Sequence, residues 1–166
     1  MPMTKAVAET PTHFDLDVET VIIGAGACGL IAALAANETG QQVLVIEADA
    51  VPAGSTALSA GLIPAAGTRL QKDLGLVDSA ADFAKDIQNK AKGENVQKIV
   101  DTLTQNAATV IDWLAETYRL PFSVVNDFDY PGHSQRRMHG LPTRSVLELI
   151  NALRDACETA WIDIIC

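Results

Sequence analysis

Gly24, Gly26, Gly29 and Glu47 are the residues of this chain whose types and spacing could do chemistry. The three glycines form a GxGxxG turn, and Glu47 follows 23 positions after Gly24. In such a turn the first glycine permits a tight exit from a strand and the second, lacking a Cβ, lets the backbone approach a pyrophosphate. The third lets the following helix pack closely on the sheet. A carboxylate at the position of Glu47 can accept hydrogen bonds from a ribose 2′-OH. Such a free hydroxyl points to FAD or NAD rather than NADP, whose 2′-phosphate a glutamate would repel.

The flanking elements suit that chemistry. Val18 with Val21 to Ile23 is an apolar run expected to form a central parallel strand buried on both faces. Ala27 to Asn37 is rich in Ala and Leu, hence helix-forming. Its free N-terminal N–H groups and positive dipole end would face phosphates. Gly40 should stop this helix, and Val43 to Ile46 reads as the second strand. Val21 to Ala36 is too short and too glycine-rich to span a membrane, which takes about 20 apolar residues.

Two further segments hold candidate groups. Ala48 to Thr68 is dense in small residues, as a backbone lying against a flat ligand would be, although a flexible loop has similar composition. Gly132 to Arg144 concentrates two histidines and three arginines in thirteen residues. His133, Arg136, Arg137 and His139 could bind a dicarboxylate through the guanidinium fork. Alternatively they form ion pairs on a surface hairpin, with Arg137 and His139 the better candidates for a functional role. The cysteines Cys28, Cys157 and Cys166 have no CxxC spacing, so neither a disulfide framework nor a metal site is expected. Cys28, inside the glycine turn, is expected to be a small buried residue rather than a redox thiol. No catalytic dyad or triad is evident, and the catalytic residues stay unassigned.

At 166 residues the chain has room for one domain with a modest core. Its net charge of −9 and lack of a Lys/Arg cluster argue against nucleic acid or an anionic membrane surface as partner. The composition is that of a cytoplasmic enzyme. Residues 1–17 contain Pro, Thr and acids without the apolar core of a secretory signal, and read as a loosely ordered tail.

Along the rest of the chain, 78–92 carries a helical pattern with Asp78 or Ser79 as N-cap and Gly93 just past its end. From Asn95 to Tyr118 a longer amphipathic helix sets Val96, Ile99, Val100, Leu103, Ala107, Val110, Ile111 and Leu114 in a stripe. Core packing is expected for that stripe and for Trp113, with Pro121 ending the helix. Phe122 to Val125 suits a short strand, and NDFDYPG from Asn126 is turn chemistry. Ser145 to Thr159 reads as a helix capped by Thr143 or Ser145, with Glu148 as capping-box partner of Ser145. Ala160 to Ile165 reads as a strand.

Taken together, VIIGAGACGLIAALAA with VLVIEAD, GSTALSAGLIPAA, NAATVIDWLAETYRLPF and GHSQRRMHG followed by TRSVLELINAL resemble the N-terminal part of the fumarate reductase and succinate dehydrogenase flavoprotein family. L-aspartate oxidases and 3-ketosteroid dehydrogenases are relatives within it. The likeness covers Thr20 to Ile165; its first piece is generic to FAD and NAD proteins, and the second and third make it specific.

The resemblance implies an α/β fold, a partial Rossmann-like FAD-binding fold with a helical segment inserted at about 78–120, making 18–166 an incomplete FAD-binding domain. It implies that Gly24, Gly26 and Gly29, with Ala27, and Glu47, with Ala48, hold the ADP part of FAD. It likewise implies that Gly54, Ser55 and Thr56 touch the pyrophosphate and ribityl region. Ser59, Ala60, Gly61 and Leu62 would lie along the isoalloxazine with N–H groups near N5 and O4. Some members attach FAD through a histidine near this segment; none occurs between Val51 and Gly67, so non-covalent FAD is expected. Longer members supply a substrate-capping domain and a final FAD segment, which a complementing C-terminal chain would have to bring. The implied reaction is hydride transfer at flavin N5 to or from a CH–CH group of a small, succinate-like or related substrate. The alternatives are a truncated, non-catalytic dinucleotide-binding module and an NAD-binding dehydrogenase domain, the latter disfavoured by the Gly54 to Thr68 segment.

Overall fold

The computed structural model describes residues 13–51 and 54–166. Residues 1–12 of the expected tail lie outside the described residues, and 13–17 run without regular secondary structure on the surface.

The chain opens with a βαβ unit, β1 (Thr20–Ile23), α1 (Ala27–Glu38) and β2 (Val43–Ile46). A 3-10 turn follows at Gly54–Leu58, then β3 (Ile63–Pro64), α2 (Arg69–Asp73), α3 (Ala80–Lys90) and α4 (Gln97–Glu116). The remainder is β4 (Ser123–Val124), β5 (Met138–Gly140), α5 (Val146–Thr159) and β6 (Asp163–Ile165).

Two small sheets organise these elements. The first is parallel in the order β1-β2-β6, with Ile22 opposite Val45 and Val45 opposite Ile164. One face carries those three side chains into the core, where Leu30, Ala33 and Leu34 of α1 meet Leu149, Leu153 and Cys157 of α5. The other face is open: Ile23 is 87% exposed and Val21 50% exposed. The expectation of a first strand buried on both faces is therefore corrected, because α1 and α5 cover one side only. The second sheet is antiparallel, β3-β5-β4, pairing Ile63 with His139 and Val124 with His139. The insertion between β2 and β6 is thus a helix pair together with a sheet, and β3, α2 and β5 are elements that periodicity did not reveal. Two- and three-residue strands carry too few alternations to register.

Local signals explain most boundaries. Ser79 caps α3 by accepting from Asp82 N–H, and Gly93 lies in the left-handed region just past it. Helix α4 ends at Glu116 and turns at Arg119, which has φ +58, ahead of Pro121. The expected capping box of α5 does not form. Ser145 accepts from Leu147 N–H, while Glu148 reaches back to the N–H and hydroxyl of Thr143. The α4 stripe is split. Val100, Ile111 and Leu114 are buried, whereas Val96, Ile99 and Leu103 are exposed. Trp113 is half-buried and donates to Glu38 at 2.9 Å. Among the described residues no helix is long and apolar enough to cross a membrane.

Candidate functional site

The glycine turn is built by close packing of helix on strand. Gly24 has φ +101 and donates its N–H to Ile46 O at 2.7 Å, tying the exit of β1 to β2. A Cβ on Gly29 would lie 1.9 Å from Gly24 O, so only glycine lets α1 start this near the strand. Gly26 is the N-cap of α1 in extended geometry, with no side-chain cap and no acidic residue in the first turn. The first-turn N–H groups have no intrahelical acceptors. That of Ala27 is met by Thr56 Oγ1 at 3.1 Å. The 3-10 turn is thereby held against the start of α1, and a Cβ on Gly26 would come 3.3 Å from the same hydroxyl.

Glu47 stands directly at this turn. Its Oε2 accepts from Ala25 N–H at 2.7 Å, and its Oε1 accepts from Ala48 N–H at 2.7 Å and Asp49 N–H at 3.1 Å. The Ala25 bond first, then those of Asp49 and Ala48, hold the carboxyl below its ordinary range and keep it ionised. Of the roughly four acceptor positions of a carboxylate, three are in use, leaving about one for a ribose hydroxyl. The backbone N–H of Glu47, donated to Ile165 O of β6 at 2.8 Å, completes its anchoring.

The second glycine-rich segment is gripped from two sides. Gly61 has φ +64, and a Cβ there would meet the Ser145 carbonyl group at 2.8 Å. A Cβ on Gly140 would meet Leu62 Cδ2 at 2.6 Å. Ser59 Oγ accepts from Gly61 N–H at 3.1 Å, and Ser59 N–H goes to Thr56 O at 3.0 Å. Two of the four backbone donors expected along a flavin edge, those of Ser59 and Gly61, are therefore engaged within the chain. Gly54, Ser55, Ser59 and Ala60 are exposed, and Gly61 is buried.

The histidine and arginine cluster divides. Arg136 is a surface residue paired with Asp129 at 2.7 Å. Arg137 and His139 are wholly buried, so the ion pairs expected of this cluster form at Arg137 in the interior and not on a surface hairpin. Arg137 donates in bidentate fashion to Asp78 (2.9 Å twice) and to Asp86 (2.6 Å), with its guanidinium 4.9 Å from the centre of the Phe83 ring. Burial would lower its pKa, but the two carboxylates outweigh that and raise it. His139 Nδ1 faces Arg137 O at 3.0 Å and its Nε2 faces Thr68 Oγ1 at 2.8 Å. Burial pushes its pKa down, so it is neutral, and a carbonyl at Nδ1 assigns the proton to that nitrogen. His133 is half-buried between Phe83 and Tyr130, its pKa lowered first by burial and then by Arg137. Asp78, expected only as a helix cap, is the principal partner missed. It lies 59 residues from Arg137, and no local spacing signals such a pair.

Cys28 is exposed, against the expectation of a buried residue, and Cys157 is the buried one. Among the described residues no cluster of side chains could hold a metal ion. An apolar groove of about 530 Å³ runs along α4 and β3, lined by Ile63, Pro64, Ile99, Leu103, Ala107 and Val110. It lies away from the glycine turn and has none of the convergent donors found there. The turn is for that reason the better candidate for a phosphate-bearing ligand.

A family model described as FAD binding domain matches residues 19–160. A probable fumarate reductase of Shewanella frigidimarina is 28% identical over 163 residues, which is 96% of this chain and 26% of that protein. A urocanate reductase of Eggerthella lenta is 32% identical over 110 residues, 66% of this chain and 18% of its own length. Among solved structures, the open conformation of a flavocytochrome c3 fumarate reductase superposes with a TM-score of 0.79. It is 27% identical, over 89% of this chain and 26% of that one. The chain thus spans about a quarter or less of the length of these relatives.

Proposed function

The chain belongs to the family of FAD-binding domains found in fumarate reductase flavoproteins, and from that premise we propose that residues 18–166 hold FAD non-covalently as part of an oxidoreductase. The reaction is hydride transfer involving a CH–CH group of a small substrate of the succinate or fumarate type. One observation carries the cofactor assignment. The N-terminus of α1, whose N-cap Gly26 offers no side chain, and the ionised Glu47 are joined through a single residue, Ala25, whose N–H bonds the carboxylate at 2.7 Å. A pyrophosphate on the helix end and a ribose on the carboxylate would then be one ligand's adjacent parts.

In this reading Gly24, Gly26 and Gly29 shape the turn, and the first-turn N–H groups of α1 beyond Ala27 meet the pyrophosphate, while Ala27, its N–H held by Thr56 Oγ1, lies beside it. Glu47 accepts from the ribose, with Ala48 beside it. Gly54, Ser55 and Thr56 line the path toward the ribityl chain. Thr56 can accept from Ala27 N–H and turn its own hydroxyl proton to a phosphate oxygen. Ser59, Ala60, Gly61 and Leu62 lie along the flavin ring. Bound FAD would supply the electron-pair acceptor and donor at N5, and backbone N–H groups beside it would stabilise the charge of the reduced ring. The absence of histidine between Val51 and Gly67 supports a non-covalent cofactor.

Incubation with FAD followed by gel filtration tests this. Yellow flavin should co-elute with the chain and be released into the supernatant on acid precipitation. A flavin-free protein peak overturns the reading, and flavin retained in the precipitate overturns its non-covalent part.

A second reading, a cofactor-holding module without turnover of its own, is favoured by the burial and full engagement of Arg137 and His139. Substrate-binding cations would then come from other parts of a longer protein or a complementing chain. Oxidation of the reduced, FAD-loaded chain by fumarate would exclude it.

A further inference from the structure

Beneath the flavin segment lies a buried polar relay that neither phosphate nor ribose binding requires. Arg137 grips Asp78 and Asp86. Asp78 Oδ2 also accepts from Gln71 Nε2 at 3.0 Å. Gln71 Oε1 accepts from the N–H groups of Gly67 (2.6 Å) and Thr68 (3.2 Å), and Thr68 Oγ1 accepts from Gln71 N–H while donating to His139 Nε2. His139 Nδ1–H closes the circuit on Arg137 O, which also accepts from Ala65 N–H at 2.9 Å. Arg137, His139, Gln71 and Thr68 are all fully buried.

The relay ends on the strand that continues the flavin segment. His139 pairs with Ile63 and Met138 with Pro64, immediately after Gly61 and Leu62. Gly140, next to His139, packs on the Leu62 side chain, and Gly61 is pressed against Ser145. The Leu62 end of the segment, running into β3, is therefore braced by β5, which carries His139 and directly follows Arg137. A buried ion group of this kind is poorly explained by stability alone, since its desolvation cost can exceed its Coulombic gain. Its geometry does specify one backbone placement.

Resting on the reading that Ser59 to Leu62 lie along the flavin ring, we propose that Arg137 and His139 are positioning residues which fix the Leu62 end of that segment, and with it the backbone N–H groups not engaged within the chain, against the flavin and thereby tune its reduction. They do not touch cofactor or substrate. A positioned donor stabilises the negative charge of reduced flavin, and a misplaced one does so less.

The test uses His139→Gln and Arg137→Met in the full chain loaded with FAD, reading dissociation constant, visible spectrum and midpoint potential of the flavin together. The ADP end is held by Gly26 and Glu47, so FAD affinity should stay within about threefold. The oxidised-to-reduced equilibrium should shift toward oxidised flavin by about tenfold, about 30 mV for a two-electron couple, with a changed absorbance envelope. His139→Asn, which can place its amide nitrogen toward Arg137 O, should recover part of the shift. Unchanged potential and spectrum in variants that bind FAD overturn the positioning role while leaving the cofactor assignment intact. Failure of the unsubstituted chain to bind FAD removes both. If Arg137→Met does not fold, His139→Gln alone decides; if neither folds, the relay serves stability and the proposal fails.

Discussion

A Cβ placed on Gly29 would lie 1.9 Å from the carbonyl oxygen of Gly24, whereas one on Gly26 would meet only Thr56 Oγ1 at 3.3 Å. The two glycines of one motif thus have separable roles, one in packing and one in ligand approach. Gly29→Ala should destabilise the fold by about 1–3 kcal/mol or more, as forced overpacking does. Gly26→Ala should cost within about 1 kcal/mol yet weaken FAD binding at least about tenfold, equivalent to about 1.4 kcal/mol. Urea unfolding and FAD titration of both variants separate the two effects. Equal losses of stability would contradict this division.

Removing Asp78 leaves Arg137 as a buried cation with only Asp86 opposite it. Asp78→Ala should cost about 3–5 kcal/mol, the range for breaking a buried pair from one side. The comparable change at the surface, Asp129→Ala, removes the Arg136 partner in water and should give no measurable change. Chemical denaturation of the two variants checks the contrast.

Acidification should weaken the fold first through its buried imidazoles. Burial lowers the pKa of both His139 and His133, so the unfolded chain takes up protons more readily than the folded one. That stability is complete above the unfolded pKa of about 6.5 and is lost as pH falls through the folded values. Urea midpoints should be flat above pH 7 and decline below about 6.5. In His139→Gln the decline should be shallower, and an unchanged slope would count against a buried neutral His139.

Tyr118 OH donates to Glu38 at 3.0 Å, alongside Trp113 Nε1 at 2.9 Å. Burial first, then this carboxylate, push the phenol up to about 12. Ultraviolet titration should show one tyrosine still protonated at pH 11, ionising earlier in Glu38→Ala. Tryptophan emission should change in the same variant because the Trp113 bond is lost.

The parts legible in the sequence were those with short-range physics. The βαβ unit, the glycine turn and the caps at Ser79 and Ser145 follow from local periodicity and residue chemistry, and the structure has them. β4 was legible as the short strand expected at Phe122 to Val125, but β3 and β5 were not, because strands of two or three residues carry no periodicity of their own and Ile63 meets its partner His139 only through the fold. For the same reason the ion pairing of Arg137 is legible but its burial is not: an Arg-rich turn looks solvent-facing until Asp78 and Asp86 are brought to it by the fold. The α4 stripe was legible as a helix but not as a half-open one, since periodicity marks an apolar face without saying what covers it. Exposed Ile99 and Leu103 are the result.

The central claim is that the Gly24–Gly29 turn and Glu47 hold FAD, and fluorescence titration of FAD with the chain tests it most directly. Saturable quenching at one FAD per chain is expected, abolished by Gly26→Val and weakened by Glu47→Gln, with NAD failing to compete. FAD binding of equal strength in Gly26→Val, or no binding by the unsubstituted chain, would contradict it.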